Sequence, residues 1–211
     1  MTTVVEVWSD LHCPWATVAI ARLRTARDRH GLDVVFDQRA WPLEWVNERG
    51  TPRETVQAEV ALLAGAEPDL FSRFKASSFP STLLPAFELV AAARRVGGLR
   101  AAEDADFAVR RRFFHHGADV SLRHELRQAA EDAGLDAEAV LKVWHAEPVR
   151  ADVAADYQRS ADLPIQGSPQ IFWPDGTSTH NPGMDLEFVR GLPHLHGQDP
   201  QEPERLLLAH T

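Results

Sequence analysis

The sequence predicts an α/β fold in which an all-helical segment interrupts a sheet, and three observations support this. The first forty residues follow a strand–helix–strand pattern. Residues 51–162 carry apolar side chains at three- and four-residue spacing, which is typical of helices. Short β-branched runs and turn residues return from residue 168. Strand signals at both ends of the chain therefore flank a long helical stretch.

The opening of the chain is predicted to be a β-α-β unit. Residues 3–8 are short and rich in β-branched side chains, as in a buried strand. A helix is expected over residues 14–30, because Pro14 suits a first helical turn and Gly31 suits a helix end. Residues 33–41 predict a second strand. A turn thus places the only cysteine between the first strand and the helix.

The rest of the chain is less regular. The spacing of Thr51 and Glu54 is that of a capping box, so a helix is expected to start there. Residues 168–173 predict a strand, followed by a Pro-Asp-Gly turn and a second strand of a hairpin. Residues 185–192 and 203–210 are expected to form terminal helices. The Pro-rich stretch 191–204 is expected to be loose.

This order of elements is that of a thioredoxin-like fold with an inserted all-helical domain. We expect residues 1–50 and 163–211 to form one discontinuous thioredoxin-like domain. Residues 51–162 are expected to form the helical insertion domain. Cys13 would then lie at the edge where the two halves of the sheet meet.

Composition excludes several classes of protein. The 211 residues carry a formal net charge of −9, which disfavours nucleic acid and anionic membranes as partners. No apolar run is long enough to span a bilayer, and the first ten residues do not resemble a signal peptide. A single cysteine cannot form an internal disulfide. We therefore expect a cytoplasmic protein.

The stretch WSDLHCPWATVA, residues 8–19, carries the candidate chemistry. A helix N-terminus can lower the pKa of a cysteine thiol, and adjacent His12 can add positive charge. We therefore expect Cys13 to be an activated nucleophile that lines a pocket, with Trp15 partly exposed as one wall. The alternative is that Cys13 is a small buried apolar residue.

Ala16 limits that chemistry. Dithiol exchange needs a second thiol to resolve the mixed disulfide, and such motifs place it three residues after the first. Ala16 occupies that position here. The pattern favours a monothiol mechanism with a small external thiol, or a site that binds a thiol without covalent chemistry.

These residues resemble the DsbA-like thioredoxin family, in particular its cytosolic FrnE-like or 2-hydroxychromene-2-carboxylate isomerase-like branch. VVEVWSDLHCPWA is similar to the family's strand and Cys-Pro-Trp-Cys turn, with CPWA in place of CPWC. STLLPAFELVAAA, RRRFFHHGADVS and IQGSPQIFW resemble later family segments. The resemblance implies a cis bond before Pro169 and places the Ser168 backbone against Cys13.

The resemblance implies an oxidoreductase with a single active-site thiol that acts on thiol–disulfide or small-thiol-dependent substrates. The alternatives are a thiol-dependent isomerase or transferase of the kappa type, and a non-catalytic thiol-binding module. No tightly bound cofactor is expected, although glutathione or another small thiol is a candidate partner, and a homodimer is possible for the family. The predicted catalytic residues are Cys13 and His12, and the predicted thiol-binding residues are Pro14, Trp15, Ala16, Ser168 and Pro169.

The ten histidines raise the hypothesis of a metal site. Their spacing lacks a cysteine pair or a HExxH pattern, so we expect no metal. His115 and His116 are expected to end a helix, while His180 is a candidate for the Cys13 pocket. The run from Arg110 to Arg112 is expected to be a solvated helix face, with an anion-binding patch as the alternative.

Overall fold

The computed structural model describes residues 2–211 and contains a four-stranded sheet with order β2-β1-β3-β4. The strands are β1 (Thr3–Ser9), β2 (Val34–Ala40), β3 (Gln170–Phe172) and β4 (Ser178–His180). Strand β1 runs parallel to β2 and antiparallel to β3, and β3 pairs antiparallel with β4. The first and last parts of the chain therefore share one sheet, as the sequence predicts.

Helices fill the middle of the chain. Helix α1 (Pro14–His30) has the predicted bounds, and Gly31 ends it with a left-handed φ of 61°. The following helices are α2 (Leu43–Val46), α3 (Arg53–Leu63), α4 (Pro68–Phe71), α5 (Leu84–Phe114), α6 (Arg123–Asp132), α7 (Ala137–Ala146), α8 (Val149–Ser160) and α9 (Glu202–His210), with a 3-10 turn at Ala76–Ser78. The assignment of residues 51–162 to a separate domain stays a prediction.

Two apolar cores hold these elements together. One joins the sheet to α1 and α9 through residues such as Val7, Ile20 and Leu207. The other joins the helices of the middle segment to the Cys13 end of α1. Among residues 2–211, no helix is both long and apolar enough to cross a bilayer.

The outer edge of β2 is closed by side chains from α5 and α8. Glu103 accepts a hydrogen bond from the backbone N–H of Phe36 at 3.0 Å, and Asp156 accepts one from the N–H of Ala40 at 3.0 Å. Arg94 donates to the carbonyl of Gln38 at 2.6 Å. Because unpaired strand edges invite pairing with other chains, these contacts protect the sheet and fix α5 beside it.

Two predictions for the C-terminal part are wrong. Residues 185–192 form no helix but belong to a second sheet, in which β5 (Met184–Val189) pairs antiparallel with β6 (Leu192–Gln198). The predicted loose stretch therefore contains β6. The reason is the turn between the strands: Arg190 and Gly191 both have positive φ, 53° and 79°, as a tight hairpin turn of type I′ requires.

Two predictions for the helices also need correction. Helix α3 starts at Arg53 with Pro52 as its N-cap and no side-chain cap, so Thr51 and Glu54 form no capping box. The run from Arg110 to Arg112 is not a solvated face, because the side chain of Arg110 is fully buried. Only Arg111 of the three is exposed.

Candidate functional site

Cys13 is the N-cap of α1, so its side chain lies at the positive end of that helix. Its sulfur accepts a hydrogen bond from the N–H of Ala16 at 3.4 Å. In the other direction the thiol donates to the backbone carbonyl of Ser168 at 3.1 Å. The Ser168–Pro169 bond is cis, which confirms the prediction for this segment. The two halves of the sheet thus meet at Cys13.

The loop before Cys13 is organised by the buried carboxylate of Asp10. One of its oxygens accepts hydrogen bonds from the His12 backbone N–H, at 2.9 Å, and from His12 Nδ1. The other accepts from the N–H of Leu43 at 2.7 Å. Burial raises the pKa of Asp10, but the charge and hydrogen bonds of His12 outweigh burial and lower the pKa overall. Both the backbone N–H and the imidazole of His12 are therefore engaged by Asp10.

Arg110 supports the same loop from α5. Its guanidinium donates to the Asp10 carbonyl at 2.9 Å and to Ser9 Oγ at 2.7 Å. It also forms an ion pair with Asp106 at 2.7 Å, one helical turn earlier. An arginine can sit in a dry interior only when its donors are satisfied, and here they fix the backbone next to Cys13.

The thiol of Cys13 is not activated in this structure. Burial raises its pKa to about 12, and the negative charge of Glu59 adds to this rise. Hydrogen bonding by the Ser168 side chain and by the Ala16 N–H lowers the pKa, but by less than burial raises it. Burial therefore opposes the thiolate that the helix terminus and His12 are expected to favour, and the catalytic roles of Cys13 and His12 stay predictions. Desolvation outweighs the helix terminus, and His12 is engaged by Asp10.

Cys13 nevertheless lines a cavity of about 580 Å³, as predicted. His12, Trp15, Ser168 and the predicted His180 also line it. Pro14, Ala16 and Pro169 do not contribute to its lining, although they hold the residues that do. Trp15 is not partly exposed as expected, since only 2% of its surface is accessible.

The β5–β6 hairpin forms a wall of the cavity that the sequence did not predict. Leu186, Glu187, Phe188 and Gly191 line the cavity opposite the Cys13 loop. Met184, Leu186 and Leu195 also pack on the helical core, which anchors the hairpin. The sequence signal for these strands is the alternation of apolar and polar residues over 184–189.

Glu59 of α3 is the second residue that sequence reasoning missed. It lines the cavity and is only 7% exposed. Burial raises the pKa of its carboxyl to about 7, whereas Trp15 and His12 lower it by smaller amounts. Its position between Val56 and Val60 on the buried face of α3 was the available signal. A carboxylate in an apolar helix stripe is uncommon unless it has a partner.

Within residues 2–211, no group of three or more His, Cys, Asp or Glu side chains is arranged to hold a metal ion. His115 is the C-cap of α5 and His116 follows it, as predicted. His194 and His196 lie on β6. His180 has a pKa lowered by burial and lies at the cavity.

Comparison with known proteins gives a consistent picture. A family model described as DSBA-like thioredoxin domain matches residues 4–192. Among solved structures, the chain is similar to a candidate protein disulfide isomerase from Nitrosomonas europaea, at 17% identity and a TM-score of 0.67, covering 99% of this chain and 97% of that one. Comparison with curated proteins finds no match.

Two further solved structures are similar. The cytosolic disulfide reductase DsbM from Pseudomonas aeruginosa has 19% identity and a TM-score of 0.60, covering 98% of this chain and 97% of that one, and it has also been solved with GSH. A 2-hydroxychromene-2-carboxylate isomerase has 15% identity and a TM-score of 0.61, covering 83% of this chain and 87% of that one. At these identities the likeness concerns the fold alone.

Proposed function

Because the chain belongs to the DSBA-like thioredoxin domain family, we propose that it is a thiol–disulfide oxidoreductase with Cys13 as its single nucleophile. The observation that carries this proposal is the position of the Cys13 thiol. It lines a cavity of about 580 Å³. It also donates a hydrogen bond to the carbonyl of Ser168, the residue before the cis bond to Pro169. A small disulfide that enters the cavity would meet the sulfur directly.

The proposed reaction has two exchanges. In the first, the Cys13 sulfur attacks a disulfide, so that a bond to Cys13 forms, the original S–S bond breaks and the departing sulfur takes up a proton. Since Ala16 supplies no thiol, a small external thiol attacks the mixed disulfide in the second exchange. That step forms a new external disulfide and regenerates Cys13.

The other predicted residues have supporting roles in this proposal. His12 holds Asp10 and so positions the loop before Cys13. Pro14 and Ala16 set the first turn of α1, and Ala16 offers its N–H to the sulfur. Trp15 and Ser168 line the cavity, and Pro169 forms the cis bond that follows Ser168.

We propose a cytoplasmic protein that works with glutathione or a similar small thiol. A mechanism that depends on an external thiol requires a reducing compartment, where such thiols are abundant. The solved DsbM is named a cytosolic reductase and has been studied with GSH, which supports this choice by analogy of fold. A homodimer stays a prediction.

A second candidate is a thiol-dependent isomerase or transferase. The observation that favours it is the hydrogen bond that the Cys13 thiol donates to the Ser168 carbonyl at 3.1 Å, together with the burial that raises the pKa of the thiol to about 12. A protonated Cys13 would donate a hydrogen bond to the sulfur of a bound thiol rather than attack a disulfide. In that case the external thiol is the nucleophile.

Mass spectrometry of the intact protein distinguishes the candidates. After incubation with oxidised glutathione, the oxidoreductase is expected to gain one glutathione at Cys13 and to lose it when reduced glutathione is added. The variant Cys13→Ser is the matched control and should gain nothing. If the wild-type protein stays unmodified but conjugates glutathione to a chloronitrobenzene, the transferase is correct. If it does neither and still binds glutathione, the protein is a binding module.

A further inference from the structure

Glu59 places a carboxylate in the Cys13 cavity that the proposed reaction does not use. It lies on the buried face of α3, flanked by Val56 and Val60, and only 7% of its surface is exposed. The same cavity contains Cys13 and Trp15. A buried carboxylate needs a positive partner or several hydrogen-bond donors, since desolvation of an ion is costly.

No such partner is present among residues 2–211. The charge of His12 lowers the pKa of Glu59, but its imidazole Nδ1 is hydrogen-bonded to Asp10. Arg49 lines the cavity but is exposed and forms no ion pair within the described chain. Trp15 points its indole N–H toward this region, where it interacts with Glu59 but completes no hydrogen bond of normal geometry. His180 also lines the cavity, with a pKa lowered by burial.

The unmet groups form a consistent pattern. Trp15 and Asn181 line the cavity and are at least nine-tenths buried, and each has a buried polar atom, Nε1 and Oδ1 respectively, without a hydrogen-bond partner. Together with Glu59 they offer one negative charge, one N–H donor and one carbonyl acceptor. An ammonium group presents several N–H donors and a positive charge, which complement the two acceptors.

We propose that Glu59 binds the ammonium group of an amine-bearing small thiol or disulfide and thereby selects the substrate of Cys13. This inference rests on the proposed function, because it concerns the ligand of the same cavity. It names the substrate class as aminothiols and their disulfides. The bound ligand also helps to activate the Cys13 thiol.

The activation follows from the charge of Glu59. That charge disfavours the Cys13 thiolate, because two negative charges would then share one cavity. A ligand ammonium at Glu59 cancels the repulsion at the moment when the disulfide reaches the sulfur. Cys13 then loses its proton, bonds to one ligand sulfur and releases the other half as an aminothiol that takes up a proton. A disulfide without an amine leaves the repulsion in place.

Two disulfides of nearly the same size test the proposal. Cystamine carries an ammonium at each end, and bis(2-hydroxyethyl) disulfide carries a hydroxyl in the same position. The rate of mixed-disulfide formation at Cys13 is measured for both by intact mass spectrometry at about pH 8, where a carboxyl of pKa near 7 is mostly ionised. Each rate is divided by the rate of the same reagent with 3-mercapto-1,2-propanediol, an uncharged thiol that differs from both leaving groups, to remove differences in intrinsic reactivity.

The wild-type protein is expected to prefer cystamine by about tenfold or more, the equivalent of roughly one pKa unit of interaction. In Glu59→Gln this preference should fall to within about twofold. The neutral disulfide should react faster with Glu59→Gln than with wild type, because the repulsion is gone. Glu54→Gln, an exposed position on the same helix, is the matched control and should keep the preference. When Cys13 reacts, a preference that is absent in wild type or persists in Glu59→Gln overturns the proposal.

A second measurement separates this inference from the proposed function. Cys13→Ser cannot form a disulfide, so its binding of the two reagents can be measured by isothermal titration calorimetry with Glu59 present or replaced by Gln. Tighter binding of cystamine that depends on Glu59 supports the inference even if wild-type Cys13 proves unreactive. Reaction at Cys13 combined with equal binding of the two reagents overturns the inference and leaves the oxidoreductase standing.

Discussion

The thiol of Cys13 donates a hydrogen bond of 3.1 Å to the backbone carbonyl of Ser168. This contact joins the start of α1 to the segment that enters β3. A thiol that donates is a protonated thiol. The bond therefore agrees with the raised pKa of Cys13, although burial is the main cause of that shift.

The first prediction concerns the pH dependence of Cys13 alkylation. Only the thiolate reacts, so with a pKa of about 12 the rate with iodoacetamide should rise about tenfold per pH unit from roughly pH 6 to pH 10. No plateau is expected in this range. The urea-unfolded protein is the reference and should level off near the ordinary thiol pKa of about 8.5. A plateau of the folded protein below about pH 8 would show an activated thiolate instead.

The second prediction concerns Ala16, which lies one helical turn after Cys13 and donates its N–H to the sulfur. Ala16→Cys is expected to form an internal disulfide on oxidation, because positions at this spacing at a helix start suit disulfide geometry. The oxidised variant should contain no free thiol and, when cycled with dithiothreitol, should speed insulin reduction. Ala21→Cys, a partly exposed position on the same helix, is the control and should retain two free thiols. Two free thiols in oxidised Ala16→Cys would contradict the geometry.

The third prediction compares two neighbouring arginines of α5. Arg110→Ala removes the buried partner of Asp106 and the donors to Ser9 and Asp10, so the free energy of unfolding should fall by about 3–5 kcal/mol. Arg111→Ala changes an exposed side chain and should cost less than about 0.5 kcal/mol. Urea denaturation of both variants measures the difference. Similar losses would mean that the buried network contributes little.

If Arg110→Ala does not fold, Arg110→Met provides the same comparison with less lost volume. The methionine retains apolar packing but none of the hydrogen bonds. It should still be destabilised relative to Arg111→Met, because the Asp106 carboxylate stays buried without its cation.

Much of the fold could be predicted because it depends on local sequence signals. The bounds of α1 follow from Pro14 and Gly31, and the family resemblance carried by the Cys13 turn is confirmed by the match over residues 4–192. The hairpin at 184–198 could not be predicted with the same ease, because short apolar alternation and a turn at Arg190 and Gly191 compete with a helical interpretation.

The site was predicted less completely because its properties arise from burial. The proximity of Cys13 and Ser168 could be predicted only from the resemblance to the family. The raised pKa of Cys13 could not be predicted from the sequence, because it depends on how far α3 and the β5–β6 hairpin exclude water. Glu59 and Arg110 belong to segments whose polar residues mostly face solvent, and only tertiary packing shows which of them point inward.

The fourth prediction concerns Glu59 and the pH dependence of stability. Burial raises the pKa of this carboxyl from an ordinary 4.5 to about 7, so the folded state binds the proton more tightly than the unfolded chain does. Stability from this proton is fully present below about pH 4.5 and is lost as pH rises toward 7. Glu59 should therefore make the wild-type protein less stable at pH 8 than at pH 5.

Glu59→Gln removes the titration and keeps nearly the same shape. Its free energy of unfolding should equal that of wild type within about 1 kcal/mol at pH 5 and exceed it by up to about 3 kcal/mol at pH 8, since each pKa unit corresponds to about 1.4 kcal/mol. All other ionisable groups are the same in both proteins, so the difference between the two curves isolates Glu59. Urea unfolding at both pH values gives the measurement, with Glu54→Gln as the exposed control. A difference independent of pH would mean that Glu59 is ionised in the folded protein at pH 5, and that its charge already has a partner.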